Sequence, residues 1–390
     1  MIPYKMAAKT GSPVLFAPLS RLAKRLFLAA CKSSGLALAL LWTFIPVANA
    51  ASYRPDSEST VIATWPADQS RINRQQEDQA TAADPQPLLN TVEELLRRAR
   101  RPGQSFYFDI AAARLQPFIE DNTDNPRIWY QWAYLLQHQH QFSDSLQALQ
   151  RALALSPQNS DMLIMKARVL QVQGRPRQAR QACLRLIGNS DLLSAQFCAL
   201  DAAADSGAPA QQYSALVDAV KRSGLPANGR RSWMAYTLAA MAQRLGKIEQ
   251  ALYWLQQQPD RESSYYWDQW ADLQLERGAA RQVLQQLSAL DTGGNPLDDG
   301  LLLRLALAEK QLGGDHWQQQ MAERVELREQ RHDNLHAANI ARYYLDVCRD
   351  AQRALRWAKI NFSNAKEPRD RLLLDRARAR VQPRMQESAL

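Results

Sequence analysis

The stretch "NPRIWYQWAYLLQHQHQFSDSLQALQRALALSPQN", residues 125–159, decides the fold of this 390-residue chain. Trp129, Trp132, Ala133 and Leu136 recur at i, i+3, i+4 and i+7, which is the spacing of one face of a helix. After a short polar break, a second segment repeats this periodicity until a proline, which cannot continue a helix. The stretch therefore predicts two amphipathic helices that pack as a pair.

The next unit along the chain repeats the pair at a fixed distance. Ala133 corresponds to Ala167 and Ser145 corresponds to Ala179, because each is 34 residues from its counterpart (167 − 133 = 34; 179 − 145 = 34). Small side chains at these positions let two helices approach closely, so the spacing records a packing rule. The chain is also rich in Ala, Leu, Gln and Arg, which are good helix formers. We therefore expect an all-α protein.

This unit resembles the tetratricopeptide repeat (TPR), which has a period of 34 residues. The family's signature positions hold Trp129, Ala133, Leu136, Ser145, Leu149, Ala152 and Pro157. The unit departs from the family at Ala133 and His140, where Gly is usual. Further units are recognisable at about 191–222, 233–257, 265–287, 298–330 and 336–362, with a divergent pair upstream from residue 88 and a capping helix near 368–380. The resemblance implies a right-handed α-solenoid of antiparallel helix pairs over residues 88–380.

The N-terminus indicates export. Six basic and no acidic residues accompany the apolar run "GLALALLWTFIPVA", which ends in Ala48-Asn49-Ala50. This order is typical of a secretory signal peptide, and the run is short for a membrane span. We expect residues 1–50 to be the signal peptide, cleaved after Ala50. The alternatives are lipidation at Cys31, within "LAAC", and an uncleaved N-terminal anchor.

Two polar segments flank the predicted repeats. Residues 51–87 are rich in Ser, Asp, Gln and Pro and poor in apolar residues, which predicts a disordered linker. Residues 381–390 are expected to be a flexible tail. Of the formal net charge of +9, the leader supplies six charges, which leaves 42 basic (48 − 6 = 42) and 39 acidic residues. Because the basic excess lies in the leader, we expect no nucleic-acid partner.

The chain as a whole also resembles exported bacterial tetratricopeptide proteins with an internal "lQ.qGr...Ar..C..L" segment, matched here from Leu170 to Leu186 and including Cys183. On this frame Cys183 and Cys198 lie on consecutive antiparallel helices, where they could meet. In an oxidising periplasm that proximity favours a disulfide. Two buried thiols are the alternative, and a metal site or redox pair lacks the usual ligands or spacing. Cys348 is expected to be a small buried residue.

We find no pattern of a catalytic or cofactor site. The pairs His138 and His140, and His332 and His336, could in principle bind a metal, but both lack further ligands nearby in the sequence. The phosphate-binding glycine loop and the nucleophile elbow have no counterpart here. The sequence therefore predicts a protein that is not an enzyme and that carries no metal or cofactor.

What the resemblance implies instead is a concave groove, lined by the first helix of each pair. The family's groove-facing positions are Arg127, Tyr130, Tyr134, Gln137, Arg168, Gln171, Trp233, Tyr236, Gln243, Tyr265, Asp268 and Asp272. Tyr, Trp and Arg are enriched at binding hot spots, although the aromatic residues could equally serve helix packing. We expect a periplasmic scaffold that binds a protein or peptide partner in the cell envelope. The alternative is an accessory helical subunit of an envelope enzyme or transport assembly, such as a metal permease.

Overall fold

Residues 84–291 and 295–387 are described in the computed structural model of this chain, with side chains as far as residue 381. The predicted signal peptide, Cys31 and the predicted linker up to residue 83 lie outside the described residues. The elements of secondary structure that these residues form are all helices, joined by short turns, which confirms the all-α prediction. No helix in the described part combines the length and the hydropathy that a membrane span needs.

The described helices form eight consecutive pairs followed by one last helix. They are α1 (Gln86–Ala99), α2 (Tyr107–Glu120), α3 (Pro126–His138), α4 (Phe142–Leu155), α5 (Ser160–Val172), α6 (Pro176–Leu184), α7 (Leu192–Ala204), α8 (Pro209–Ser223), α9 (Arg230–Arg244), α10 (Ile248–Leu255), α11 (Ser264–Glu276), α12 (Ala280–Ser288), α13 (Asp299–Leu312), α14 (His316–Gln330), α15 (Ala337–Arg342), α16 (Ala351–Asn364) and α17 (Pro368–Glu387). A short π-helix, Tyr343–Cys348, continues α15. Odd-numbered helices up to α15 are the first members of the pairs.

The α3–α4 pair shows how the sequence sets the geometry. The Asn125 side chain caps α3 by accepting hydrogen bonds from the backbone N–H groups of Arg127 and Ile128. The fully buried Ser145 hydroxyl donates to the carbonyl of Ala133 at 2.8 Å, so the two helices touch at the predicted small residues. His140 adopts φ 58° in the turn, the left-handed conformation for which the repeat family uses Gly.

Packing between neighbouring pairs produces a continuous core. Leu149 and Leu163 are fully buried in one cluster that spans α3 to α7. The half-buried Trp233 packs against this cluster and against the next one, which extends to α13. The half-buried Trp317 likewise contacts the clusters on both of its sides. Each pair thus depends mainly on its neighbours, as expected of an α-solenoid.

Some contacts join pairs that are four to six units apart along the chain. The backbone N–H of Gly103 donates to Asp298 at 3.2 Å, across 195 residues. The N–H of Lys366 donates to the carbonyl of Val172 at 2.7 Å, across 194 residues (366 − 172 = 194). The ring of His140 lies 6.3 Å from that of His336. The array therefore curves back until distant pairs touch, which brings their first helices near one another.

The C-terminal boundary differs from the prediction. α17 continues to Glu387, whereas the sequence placed the end of the capping helix near residue 380 and a tail at 381–390. At the other end α1 begins at Gln86, so the last two residues of the predicted linker belong to a helix. Pro87 is compatible with this start, because the first turn of a helix needs no N–H donor.

Candidate interior groove

All twelve residues predicted for the groove lie on first helices of pairs. Arg127, Tyr130, Tyr134 and Gln137 are on α3, Arg168 and Gln171 on α5, Trp233, Tyr236 and Gln243 on α9, and Tyr265, Asp268 and Asp272 on α11. We call the surface that these first helices share the inner face. Its members are of two kinds. The charged and amide residues other than Gln137 have partners from other first helices, and the aromatic residues are partly accessible, with Trp233 packed against the core.

Hydrogen bonds about one repeat apart join the charged and amide residues to the next first helix. They run from Arg168 to Asp201 (3.1 Å), from Gln171 to Asp205 (3.2 Å) and from Gln243 to Glu276 (2.6 Å), over 33, 34 and 33 residues. Arg127 makes the same kind of contact with the preceding first helix, α1, where it donates to Glu93 at 2.8 Å over 34 residues. The inner face is thus a polar ladder. Reasoning from one unit at a time missed these acidic partners, which the repeat spacing itself could have revealed.

Two carboxylates on α11 share a pair of arginines. The Arg304 side chain, only 9% exposed, contacts Asp268 at 2.9 Å and Asp272 at 2.5 Å, and Arg342 contacts Asp272 at 2.8 Å. Gly300 makes room for Asp268, because a Cβ at this glycine would lie 2.7 Å from both carboxylate oxygens. The sequence alone did not identify either arginine.

The same two carboxylates titrate differently. Burial raises the pKa of Asp268 to about 6, although Arg304 opposes this shift. Burial would also raise the pKa of Asp272, but Arg304 and Arg342 outweigh it and hold that pKa at about 2. Asp272 is therefore the firmly ionised member. Arginines of α13 and α15 neutralise the two carboxylates of α11, so these ion pairs link the three helices.

Tyrosines occupy the positions of the inner face that the polar ladder leaves accessible. Tyr130 and Tyr134 on α3 and Tyr236 on α9 are half-buried, and Tyr265 on α11 is 43% exposed. The Tyr265 hydroxyl lies 2.9 Å from Nδ1 of His138, so α11 reaches α3 across the inner face. Burial, followed by the nearby Tyr134 and Tyr236 hydroxyls, raises the pKa of Tyr265. The Tyr265 phenol therefore stays a neutral hydrogen-bonding group.

Trp233 has a different environment from the tyrosines. It packs between two core clusters, and its ring is T-shaped to that of Phe197 with centroids 6.0 Å apart. Its Nε1 is buried and makes no hydrogen bond with any described residue. Trp233 is thus a packing residue that joins α9 to α7.

The histidines are not arranged as the two sequence pairs. His138 stacks on Phe108 with centroids 3.5 Å apart, while His140 faces His336 from the far end of the array. Burial lowers the pKa of His138 to about 3 and that of His140 to about 4. Among residues 84–291 and 295–387 no group of three or more potential ligands could hold a metal.

The cysteines meet as the helix-pair frame predicted. The sulfurs of Cys183 and Cys198 are 2.04 Å apart, with Cα atoms separated by 5.4 Å. The bond joins the end of α6 to the middle of α7, and both residues are buried. Cys348 ends the π-helix and is only partly buried, so the sequence overestimated its burial.

Comparison with known proteins supports the repeat assignment. Residues 136–190 match the family model described as tetratricopeptide repeat. The match shows tetratricopeptide-repeat sequence over residues 136–190, which lie within an all-α array of helix pairs. No curated protein matches the chain.

Several solved structures are similar over much of the chain. One is the human IFIT1 dimer with PPP-AAAA, at 12% identity, covering 79% of this chain and 74% of that one, with a TM-score of 0.48. The yeast Tom70 structure has 15% identity, covers 80% and 66% of the two chains and has a TM-score of 0.40. At these values the similarity says nothing about a ligand or partner of this chain.

Proposed function

We propose that this protein is an exported, non-catalytic scaffold of the cell envelope that binds a protein or peptide partner on its inner face. The basic leader and the apolar run ending in Ala50 support export. The paired Cys183 and Cys198 fit an oxidising compartment. The tetratricopeptide match favours a binding function over catalysis.

The observation that carries the proposal is the set of accessible tyrosines opposite one another on the inner face. Tyr130 and Tyr134 belong to α3, whereas Tyr265 belongs to α11, four pairs further on. The His138–Tyr265 contact holds these two walls together. Tyrosine offers a large apolar ring and a hydroxyl at a low entropic cost of ordering, which suits recognition of an extended peptide.

The polar ladder predicts the character of binding. Because Arg168, Asp268 and Asp272 already have partners within the chain, a ligand gains little by pairing with them. Recognition then depends on the tyrosines, with Gln137 on the last turn of α3 as an additional amide. We expect affinity for the partner to change little with salt concentration, since screening acts on unpaired charges.

Crosslinking in intact cells, followed by mass spectrometry, tests the proposal. The wild type is compared with a Tyr130→Ala, Tyr134→Ala, Tyr236→Ala variant, which spares the packing residue Trp233. The matched control is Tyr253→Ala, a tyrosine that is 55% exposed on the second helix α10. Circular dichroism establishes that each variant is folded.

The scaffold proposal predicts one or a few envelope proteins that crosslink to the wild type and to Tyr253→Ala, and that disappear with the inner-face variant. Equal crosslinking of all three proteins would refute the inner-face site. Recovery of a permease or an envelope enzyme as the partner would identify the protein as an accessory subunit of that assembly.

A further inference from the structure

A cluster of exposed aliphatic side chains stands at the turn between α6 and α7. Leu184, Ile187 and Leu192 are 50, 66 and 71% exposed. Only eight large hydrophobic residues of the described chain are 40% exposed or more, and three of them fall within nine consecutive positions. Single exposed aliphatics are ordinary on protein surfaces, whereas a cluster indicates an interaction site.

Local hydrogen bonds and a neighbouring disulfide hold the turn that carries this cluster. The N–H of Ile187 donates to the carbonyl of Leu184 at 3.2 Å, and the Asn189 side chain donates to the carbonyl of Arg185 at 2.9 Å. Leu186 is fully buried and anchors the turn to the core. Cys183, the last residue but one of α6, is bonded to Cys198 on α7. The aliphatic side chains are therefore presented on a preformed support, at little entropic cost on binding.

Basic residues line α6 and the turn that follows it: Arg175 and Arg177 lie at the start of α6 and Arg185 at its end. The one acidic residue of the turn, Asp191, is paired with Arg230. Residues 162–190 contain six basic and no acidic residues. Arg175, Arg177, Arg180 and Arg185 are exposed, and within residues 84–291 and 295–387 none of the four has an ion-pair partner. Burial lowers the pKa of Lys166 on α5, and the charges of Arg185 and Arg175 lower it further.

We infer that the α6–α7 turn, with Leu184, Ile187 and Leu192 and the four arginines, docks the protein on an anionic phospholipid surface. Aliphatic side chains that insert at the interface, beside arginines that attract lipid headgroups, are the two elements of peripheral membrane binding. A partner that offers only acidic groups would use the arginines but not the three aliphatic side chains, whereas a phospholipid surface offers anionic headgroups and an apolar interior together. These arginines have no carboxylate partner in the described part of the chain, in contrast to the neutralised inner face, so this surface is independent of the proposed partner site.

Vesicle co-sedimentation with the protein in its cell-processed form tests this inference. The probes are vesicles of phosphatidylcholine with 30 mol% phosphatidylglycerol and vesicles of phosphatidylcholine alone, at about 50 and 500 mM salt, chosen to span strong and weak screening. One variant carries Leu184→Gln, Ile187→Gln and Leu192→Gln. Its matched control carries Leu312→Gln, Leu327→Gln and Leu372→Gln, which are also exposed but lie on other helices.

A second pair of variants tests the charge. Arg175→Gln, Arg177→Gln, Arg180→Gln and Arg185→Gln together remove the basic cluster. The control changes Arg222, Arg281, Arg331 and Arg356 to Gln, which alters the net charge equally at exposed sites elsewhere. Each arginine near an anionic surface strengthens binding about fivefold. We therefore expect at least a tenfold loss of affinity for the test variant and little loss for the control.

Hydrogen exchange measures vesicle binding at the turn itself. A leader that was not cleaved could bind vesicles, but it would not protect the amides of the turn. Anionic vesicles should slow exchange in residues 184–192 of the wild type and not in the aliphatic test variant. The inference is overturned if binding ignores phosphatidylglycerol, if test and control variants bind alike, or if residues 184–192 gain no protection. Polyglutamate serves as a probe for an acidic protein partner. If the four-arginine variant loses binding to polyglutamate but binds vesicles as the wild type does, the inference is likewise overturned and the partner is an acidic protein. The inner-face tyrosine variant should bind vesicles normally, so the two proposals fail separately.

Discussion

Reduction of the Cys183–Cys198 disulfide is expected to destabilise α6 and α7 and to leave distant pairs unaffected. The bond closes a loop with a sequence separation of 15 residues. Constraining a loop of that length stabilises the folded state by about 3 kcal/mol. In a repeat array, each pair interacts mainly with its neighbours, so this free energy is lost locally rather than from the whole chain.

Hydrogen exchange with mass spectrometry measures this local effect. Since about 1.4 kcal/mol corresponds to a factor of ten, reduction should accelerate exchange of the amides in α6 and α7 roughly 100-fold. Amides in α13 and α14 should exchange at an unchanged rate, because these helices belong to a separate part of the array.

Two variants control the experiment. A Cys183→Ala, Cys198→Ala double variant should exchange quickly in α6 and α7 and ignore the reductant. Cys348→Ala should respond to reductant as the wild type does, since Cys348 lies outside this loop. If the wild type exchanges at the same rate with and without reductant, while free-thiol labelling shows that the bond was broken, the loop-closure reasoning is refuted.

Three further perturbations test the inner face and the helix contacts. Arg304→Met should lower the free energy of unfolding by about 3 kcal/mol, as measured by chemical denaturation. It removes the cation that pairs with Asp268 and one of the two cations that pair with Asp272. An unchanged denaturation midpoint would show that Arg342 alone is sufficient. Acidification should loosen the contact between His140 and His336. Because burial lowers the pKa of His140 to about 4, the folded state holds this histidine neutral. Its contribution to the free energy of unfolding is therefore complete above about pH 6.5 and is lost as the pH falls toward 4. Thermal melts of His140→Gln should be flatter with pH over that window, and parallel curves would contradict this role. Ser145→Leu should cost about 1–3 kcal/mol by overpacking the fully buried contact of α3 with α4, whereas Ser145→Ala should cost about 1 kcal/mol; equal effects in thermal unfolding would mean that α4 shifts to make room.

The helix pairs could be predicted from sequence because their determinants are local. Asn159 caps α5 as Asn125 caps α3, by accepting hydrogen bonds from backbone N–H groups two and three residues later. Ala167 and Ala179 are buried at the places where their spacing from Ala133 and Ser145 required small side chains. The 34-residue period, the capping residues and the small buried residues all indicate the same helix boundaries. For this reason one clear unit was enough to predict the helix pairs.

The contacts between distant pairs could not be predicted in the same way. Whether Gly103 meets Asp298 depends on the small rotation between successive pairs, accumulated over several units. No single residue records that rotation, so an error of a few degrees per pair would separate the two. The same limit explains why the sequence did not show that the half-buried Trp233 packs between two core clusters. Family positions fix the helix face but not the neighbours that cover it.

The two candidate surfaces differ in how their charges are used, and this difference leads to a joint function. On the inner face, Arg168 and Arg304 are committed to carboxylates of the chain. At the α6–α7 turn, arginines without ion-pair partners in the described chain stand beside exposed Ile187. The inner face belongs to first helices and the turn follows a second helix, so one site does not block the other. A partner held by the tyrosines would thereby be kept at a membrane surface, and raising the salt concentration should release the scaffold from lipid with its partner still bound.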